Sequence, residues 1–258
     1  VIINTFFLVF LTKALGMPAA LAGAIPMVGK VWDAITDPMM GNITDRTSSR
    51  FGPKRLYILI GGILSAIAFI SLWTTIPSRS TTVQFIYYMV MYCLFSTCFT
   101  IIMVPYNGLL PDMVDSYDIR SKFSSLRMIW STVGAILAGL VPTLMIKDTL
   151  NTSMYLKVAI IFGILFGFAA VVTFIGTWEK VKPPVKTKLR DSFSEASSVL
   201  RSRSFKIFIG IYLSGQCAMD FVSGMAIYYV DDVLGGYDKG YLTMLMGVLL
   251  SSQLVGMI

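Results

Sequence analysis

Apolar runs of about 20 residues, the length of an α-helix that crosses the hydrocarbon of a bilayer, recur along this chain with short polar connections between them. A backbone in lipid satisfies its N–H and C=O groups only as a helix or a closed barrel, and runs this long and continuous read as helices. Eight are legible: Val1 to Leu15, Ala19 to Thr44, Leu56 to Ile76, Thr82 to Leu110, Phe123 to Ile146, Tyr155 to Trp178, Phe205 to Val230 and Gly240 to Ile258. The expected fold class is an all-α polytopic membrane protein. A mean hydropathy of +0.74, with 55% hydrophobic and 14% charged residues, exceeds what a soluble core of this size needs. The first run is short and lacks an initiator Met, and the last stops with no polar flank. Both ends read as cut from a longer protein, with no signal peptide visible.

The second run is the exception to this apolar pattern. Lys30 to Gly41, KVWDAITDPMMG, sets two acids and a base inside it. Asp33 and Asp37, four residues apart, share one helix face about 6 Å apart, and Lys30 falls on the same stripe. An ionised carboxylate at mid-bilayer costs roughly 2.5 to 3.5 kcal/mol, so such groups persist only where they line a polar interior, meet a partner or bind an ion. Pro38 lacks an N–H and leaves the carbonyl of Ala34 without its helical donor.

The net charge of +7 concerns topology rather than nucleic acid. Arg46, Arg50, Lys54 and Arg55 follow the second run, Arg120 and Lys122 the fourth, and eight Lys and Arg lie between the sixth and seventh, from Lys180 to Lys206. The opposite connections carry only Lys13, Arg79, Lys147, Lys157 and Lys239. The positive-inside rule then places the even-numbered connections in the cytoplasm of a plasma (inner) membrane. Cys93, Cys98 and Cys217 all sit in apolar runs, where they read as small buried hydrophobes. With no His, no metal-ligand spacing and no nucleophile paired with a base, an enzyme is disfavoured; nothing resembles a channel filter either.

Other features stay open on the residues alone. Gly41 to Arg55 reads as a basic anchor or as a latch in which Asp45, Arg46, Arg50, Lys54 and Arg55 tie helix ends together in one conformation. Asp112, Asp115 and Asp118 recur at every third residue without the glycine and terminal glutamate of a calcium loop, and read as a solvated acidic face opposite the basic latch. Arg127, a turn inside the fifth run, either snorkels to the headgroups or serves a site. Residues 179–204, basic with a Pro-Pro break and a weakly amphipathic run, form the expected joint between a six-helix unit, 1–178, and the start of a second, 205–258. Gln216 and Asp220 stand four apart in the seventh run, and Asp220 is expected to face the central cavity.

WDAITDPMMGNITDRTSSRFGPKR, VPYNGLLPDMVDSYDIRSKFSSLRMIWSTVG and GMAIYYV resemble the glycoside-pentoside-hexuronide cation symporters, the branch of the major facilitator superfamily that includes melibiose permease. The resemblance covers nearly the whole chain and implies helices 1 to 8 of a twelve-helix fold. It implies a cation site of Asp33, Asp37, Thr36 and Thr100, a gating role for Asp45, Arg46, Arg50, Lys54 and Arg55, and a substrate or gating role for Arg127. Lys30 stands where the family has an Arg, Asn107 where it has a stacking Trp, and Met103 where its sugar-translocating members commonly have an acid. Together these imply a cation-coupled symporter of a sugar or glycoside, with substrate-binding residues Arg127, Asn107, Lys30 and Asp220 and no cofactor beyond a coupling ion, Na⁺ or H⁺. If the ion is Na⁺, Asp33 and Asp37 ligate it; if H⁺, one carboxyl takes up and releases the proton. The expected partners are a small-molecule substrate and membrane lipid. Because related animal symporters move lysolipids, a lysolipid or other small-solute carrier is the alternative.

Overall fold

An N-terminal helical stretch and six further α-helices make up the described part of the chain. The computed structural model describes residues 1–47, 49–78, 80–114, 116–146, 148–179 and 202–229, together with Val233 and Met244. The first stretch contains wide π-helical turns over Ile3–Phe7 and Phe10–Ala14. Then come α1 (Ala19–Arg46), α2 (Pro53–Leu72), α3 (Thr81–Met113), α4 (Tyr117–Met145), α5 (Thr152–Gly176) and α6 (Arg203–Tyr228). Among the described residues there is no strand.

Local chemistry sets where several helices begin. Pro53 occupies the first turn of α2, where its missing N–H costs nothing. Asn151 caps α5 by accepting a hydrogen bond from the Ser153 N–H at 3.1 Å. Pro26 and Pro38 in α1, Pro105 and Pro111 in α3 and Pro142 in α4 lie inside helices that continue through them, as membrane helices tolerate when neighbours support the ladder. The ends agree with the sequence reading to within a few residues, except that α4 begins at Tyr117 rather than Phe123. No Gly or Pro interrupts YDIRSK, so the helix extends through this polar turn.

Helices α2 to α6 are each long and apolar enough to cross a membrane. α1 is longer than α2 but is interrupted by the charges of Lys30, Asp33 and Asp37, so hydropathy alone passes over it. Outward residues such as Ile67 (58% exposed), Ile164 (65%) and Ile175 (74%) make an apolar exterior that lipid, not water, would cover.

The centre of the bundle is built on the N-terminal stretch. Val9, Phe10 and Leu11 are fully enclosed, with Phe7 beside them. Phe10 meets Trp73 of the α2 end at 5.3 Å and Tyr155 of α5 at 5.2 Å between ring centroids, and Trp73 stacks on Tyr155 at 5.8 Å with planes 9° apart. α2 packs against α3 and α5, and α1 against α3. At Gly62 the α2 backbone comes so near Ala170 of α5 that an added methyl would overlap it, the small-residue approach on which membrane helices rely. α6 packs on the N-terminal stretch, while α4 touches α3 and α5 more lightly.

Most of the basic joint (180–201), the end of the seventh run beyond Tyr229, the expected eighth helix (240–258, Met244 apart), and Arg79, Asp115 and Lys147 lie outside the described residues.

Candidate functional site

Two rungs join α1 to α3. Ser96 donates its hydroxyl to Asp33, and Thr100 donates to Asp37 Oδ1 at 2.7 Å. Both partners stand 63 residues apart, because Asp33 and Asp37 on α1 and Ser96 and Thr100 on α3 repeat the same four-residue spacing on helices in register. Gly29, one turn before Asp33, makes the approach possible: a methyl there would overlap the ring of Tyr92. Beside the rungs, the Trp32 indole N–H donates to Thr97 Oγ1 at 2.8 Å and fixes the rotation of α1 against α3. Thr36, expected beside the acids, turns its hydroxyl back to the Trp32 carbonyl at 3.2 Å, the habit of a helical Thr.

Each carboxylate therefore meets a neutral hydroxyl through one oxygen and keeps the other. Among the described residues neither acid forms an ion pair. Carboxylate and hydroxyl oxygens are hard donors that suit Na⁺, and the same carboxylates can accept a proton. Among the described residues no three His, Cys, Asp or Glu side chains cluster together.

Two cavities open in the bundle, the first of them at the Asp33–Ser96 rung. One, about 530 Å³, is lined by Lys30, Asp33, Ser96, Tyr92 and Asn4 at a polar corner and by aromatic rings including Phe95 and Phe166 elsewhere. The other, about 540 Å³, lies between α3 and α4 and is lined by Met103, Tyr106, Arg127, Trp130 and Ser131 among others. There Arg127 donates to Asn107 Oδ1 at 2.6 Å and lies over the Tyr106 ring at 4.7 Å. The guanidinium is thus held by a neutral amide and a π-face, with donors to spare.

Of the four residues expected at the substrate, Arg127 and Asn107 come together and Lys30 lines the Asp33 cavity. Asp220 stands elsewhere, accepting from Asn4 Nδ2 at 3.1 Å and from Gln216 Nε2 at 3.3 Å where α6 meets the N-terminal stretch.

The expected latch is tied differently from the sequence reading. Lys54 forms an ion pair with Asp112 at the end of α3 and also donates to the Gly108 carbonyl at 2.8 Å. Arg55 donates to the Phe174 carbonyl of α5 and lies over the Phe174 ring at 4.9 Å. Glu179 accepts from the Lys54 N–H at 3.0 Å and so caps the start of α2. Burial pushes the Glu179 carboxyl above its ordinary range, against the pull of the α2 N–H groups and the Lys54 ammonium. Arg50 lies over the Phe51 ring at 4.9 Å, and Asp45 and Arg46 are exposed at the end of α1. The acid expected opposite the basic segment is Asp112, which makes this pair, whereas Asp45 makes none among the described residues.

Sequence reasoning passed over Ser96, Tyr92, Asn4 and Glu179. Ser96 carried a signal: Ser96 and Thr100 repeat the spacing of Asp33 and Asp37.

Residues 1–258 match the family described as MFS/sugar transport protein. The chain belongs to this family. Its fold is accordingly that of the major facilitator superfamily, and it is an integral membrane protein of a family of transporters. An uncharacterized symporter of Synechocystis sp. is 40% identical over 139 residues, covering 52% of this chain and 25% of the relative. An isoprimeverose transporter of Lactiplantibacillus pentosus is 25% identical over 73% of this chain and 42% of the relative. A sodium-dependent lysophosphatidylcholine symporter of Xenopus tropicalis is 31% identical over 51% of this chain and 25% of the relative. The matched regions thus span less than half of these relatives' own length.

Proposed function

We propose that this chain belongs to a cation-coupled symporter of a sugar or glycoside that works by alternating access, with Asp33, Asp37 and Thr100 at the coupling ion and Ser96 joining them. The observation that carries the reading is the pair of carboxylate–hydroxyl rungs between α1 and α3, two acids in register with two hydroxyls and with neither acid ion-paired among the described residues. Two like charges in a low dielectric repel, so the empty site resists closure of the halves around it. Binding Na⁺, or protonation of one carboxyl, removes that repulsion and lets the halves rock. Substrate binds at these cavities, where Arg127 and Asn107 offer donors to hydroxyls and Tyr106 and Trp130 ring faces to a sugar at the one, and Lys30 offers a donor at the other. The even-numbered connections face the cytoplasm. The protein carries out no covalent chemistry.

A lysolipid or similar amphiphile is the second reading. It is favoured by the largely apolar walls of the cavity at Asp33, aliphatic as well as aromatic, which suit an acyl chain better than a sugar. Uptake of labelled glycosides and lysolipids into vesicles bearing the full-length protein, with Na⁺ and pH gradients imposed separately, tests both. Glycoside accumulation driven by one gradient and abolished in Asp37→Asn supports the proposal and names the ion. Accumulation indifferent to both gradients would sink it, and gradient-driven uptake of lysolipid alone would transfer the reading to the amphiphile.

A further inference from the structure

The seam between α1 and α3 is one row of residues on each helix. Gly29, Asp33, Asp37 and Gly41 recur every four residues on α1, and Tyr92, Ser96, Thr100 and Val104 do so on α3. Each meets its counterpart across the same 63-residue separation, the two acids through hydrogen bonds and the two glycines through close approach. A row at four-residue spacing is a natural ridge of an α-helix, so the two helices run in the same direction and stay in register for about three turns.

The two ends of the row differ. A Cβ at Gly41 would lie 3.8 Å from Val104 Cγ1, an ordinary van der Waals contact. A Cβ at Gly29 would overlap the Tyr92 ring, and this ring is itself held in place. It is only 8% exposed and packs on Phe7 at 5.5 Å between ring centroids. A larger side chain at position 29 therefore pushes α1 away from α3. The Asp33–Ser96 rung lies one turn further along, and the Asp37–Thr100 rung one turn beyond that.

The width of the row sets the size of what its oxygens can surround. A hydroxyl that donates its proton keeps two lone pairs, so Ser96 and Thr100 can still ligate a cation together with the free carboxylate oxygens. Discrimination between hard cations of different radius follows cavity size, ligand number and flexibility. Helices in contact through a glycine make that space narrow and stiff.

We propose that Gly29 is a positioning residue for ion size: its contact with Tyr92 holds α1 and α3 at the separation at which the oxygens of Asp33, Asp37, Ser96 and Thr100 fit Na⁺ and not the larger K⁺. The inference rests on the reading of these rungs as a cation site. Gly29 itself touches no ion. A bulkier residue there spreads the rungs, which weakens Na⁺ binding and favours K⁺ relative to it. Removing the Tyr92 ring as well lets the helices return.

The test measures ²²Na⁺ binding to the purified full-length protein at fixed pH, with NaCl and KCl as competitors and proton exchange followed on the same preparation. In the wild type, KCl should displace the label far less well than NaCl. Gly29→Ala should raise the half-displacing NaCl concentration about 10-fold or more, as loss of a group that orients metal ligands does, and the preference for Na⁺ over K⁺ should fall with it. Gly41→Leu, pressing on Val104 at the far end of the row, should lower the preference too. Gly29→Ala combined with Tyr92→Val, which leaves no ring to overlap, should recover it. Gly23→Ala lies on the same helix where an added methyl meets nothing within 4 Å, and should leave the preference unchanged despite the higher helix propensity of alanine. A purely structural role would change the amount of binding-competent protein, not the ratio between the two ions. A wild type that does not distinguish Na⁺ from K⁺, or Gly29→Ala and Gly41→Leu proteins with unaltered preference, would overturn the size filter while leaving the cation site standing. Proton exchange without Na⁺ binding would do the same. Absence of both Na⁺ and proton binding would overturn the cation site as well.

Discussion

The acids at the two rungs and the acid at the helix ends meet opposite kinds of partner. Asp33 and Asp37 each take one hydrogen bond from a neutral hydroxyl, in helices whose outer faces are apolar. Asp112 meets the Lys54 ammonium, which also takes a backbone carbonyl, with side chains only 15% and 16% exposed. The same residue type thus serves two ends. Where the charge is cancelled by the protein, the carboxylate is a fastening; where it is only hydrogen-bonded, it is, on the function proposed above, the place for an ion. Glu179 lies between the two cases, held by N–H groups of α2 but desolvated.

The sharpest way to break this contrast is to remove the charges at the rungs. Asp33→Asn or Asp37→Asn should cut gradient-driven accumulation by about 100-fold or more, because the variant loses the group whose neutralisation permits closure. Lys54→Met combined with Asp112→Leu should keep the ion dependence of uptake. Next in size are the hydroxyls. Thr100→Val deletes a hydrogen bond to a charged group, about 1.5 to 3 kcal/mol, and should raise the half-saturating cation concentration roughly 10- to 100-fold. Thr100→Ser should restore it.

At the fastening the readout is stability rather than coupling. Lys54→Ala or Asp112→Ala alone removes one member of a partly buried ion pair and should cost about 1 to 2 kcal/mol in detergent unfolding. The double variant should cost less than the sum of the two. The smallest effect is expected at Glu179. Its folded carboxyl titrates above the unfolded one, so its favourable contribution is complete below the ordinary carboxylate range and is lost as pH rises through the elevated value. Thermal melting from acid to neutral pH should show the wild type losing stability relative to Glu179→Gln over that window. A flat difference would mean the cap is as well solvated in the folded protein as in the unfolded one.

The helices and the acidic stripe were legible because length, hydropathy and a four-residue spacing act locally. Asp33 and Asp37 stand out for being out of place in an apolar run, while Arg127 and Asn107 were set at the substrate only by the family resemblance. What was not legible depends on register between distant helices. Ser96 looked like an ordinary small residue until α1 and α3 lay in register, and the Thr36 hydroxyl, expected beside the acids, donates to its own helix. The acid nearest Lys54 in sequence is Asp45, nine residues before it, yet its partner comes from the end of α3. Asp220 was expected to face the central cavity because an acid inside a span needs a polar surface; Asn4, from the opposite end of the chain, supplies one.

The most direct test of the account is equilibrium binding of the coupling ion to the purified full-length protein, as ²²Na⁺ bound at fixed pH and as protons exchanged on titration. The account predicts one saturable Na⁺, or one exchanged proton, per protein, lost in both Asp33→Asn and Asp37→Asn and retained in the Lys54→Met, Asp112→Leu double variant. Undiminished binding in the two asparagine variants would contradict it.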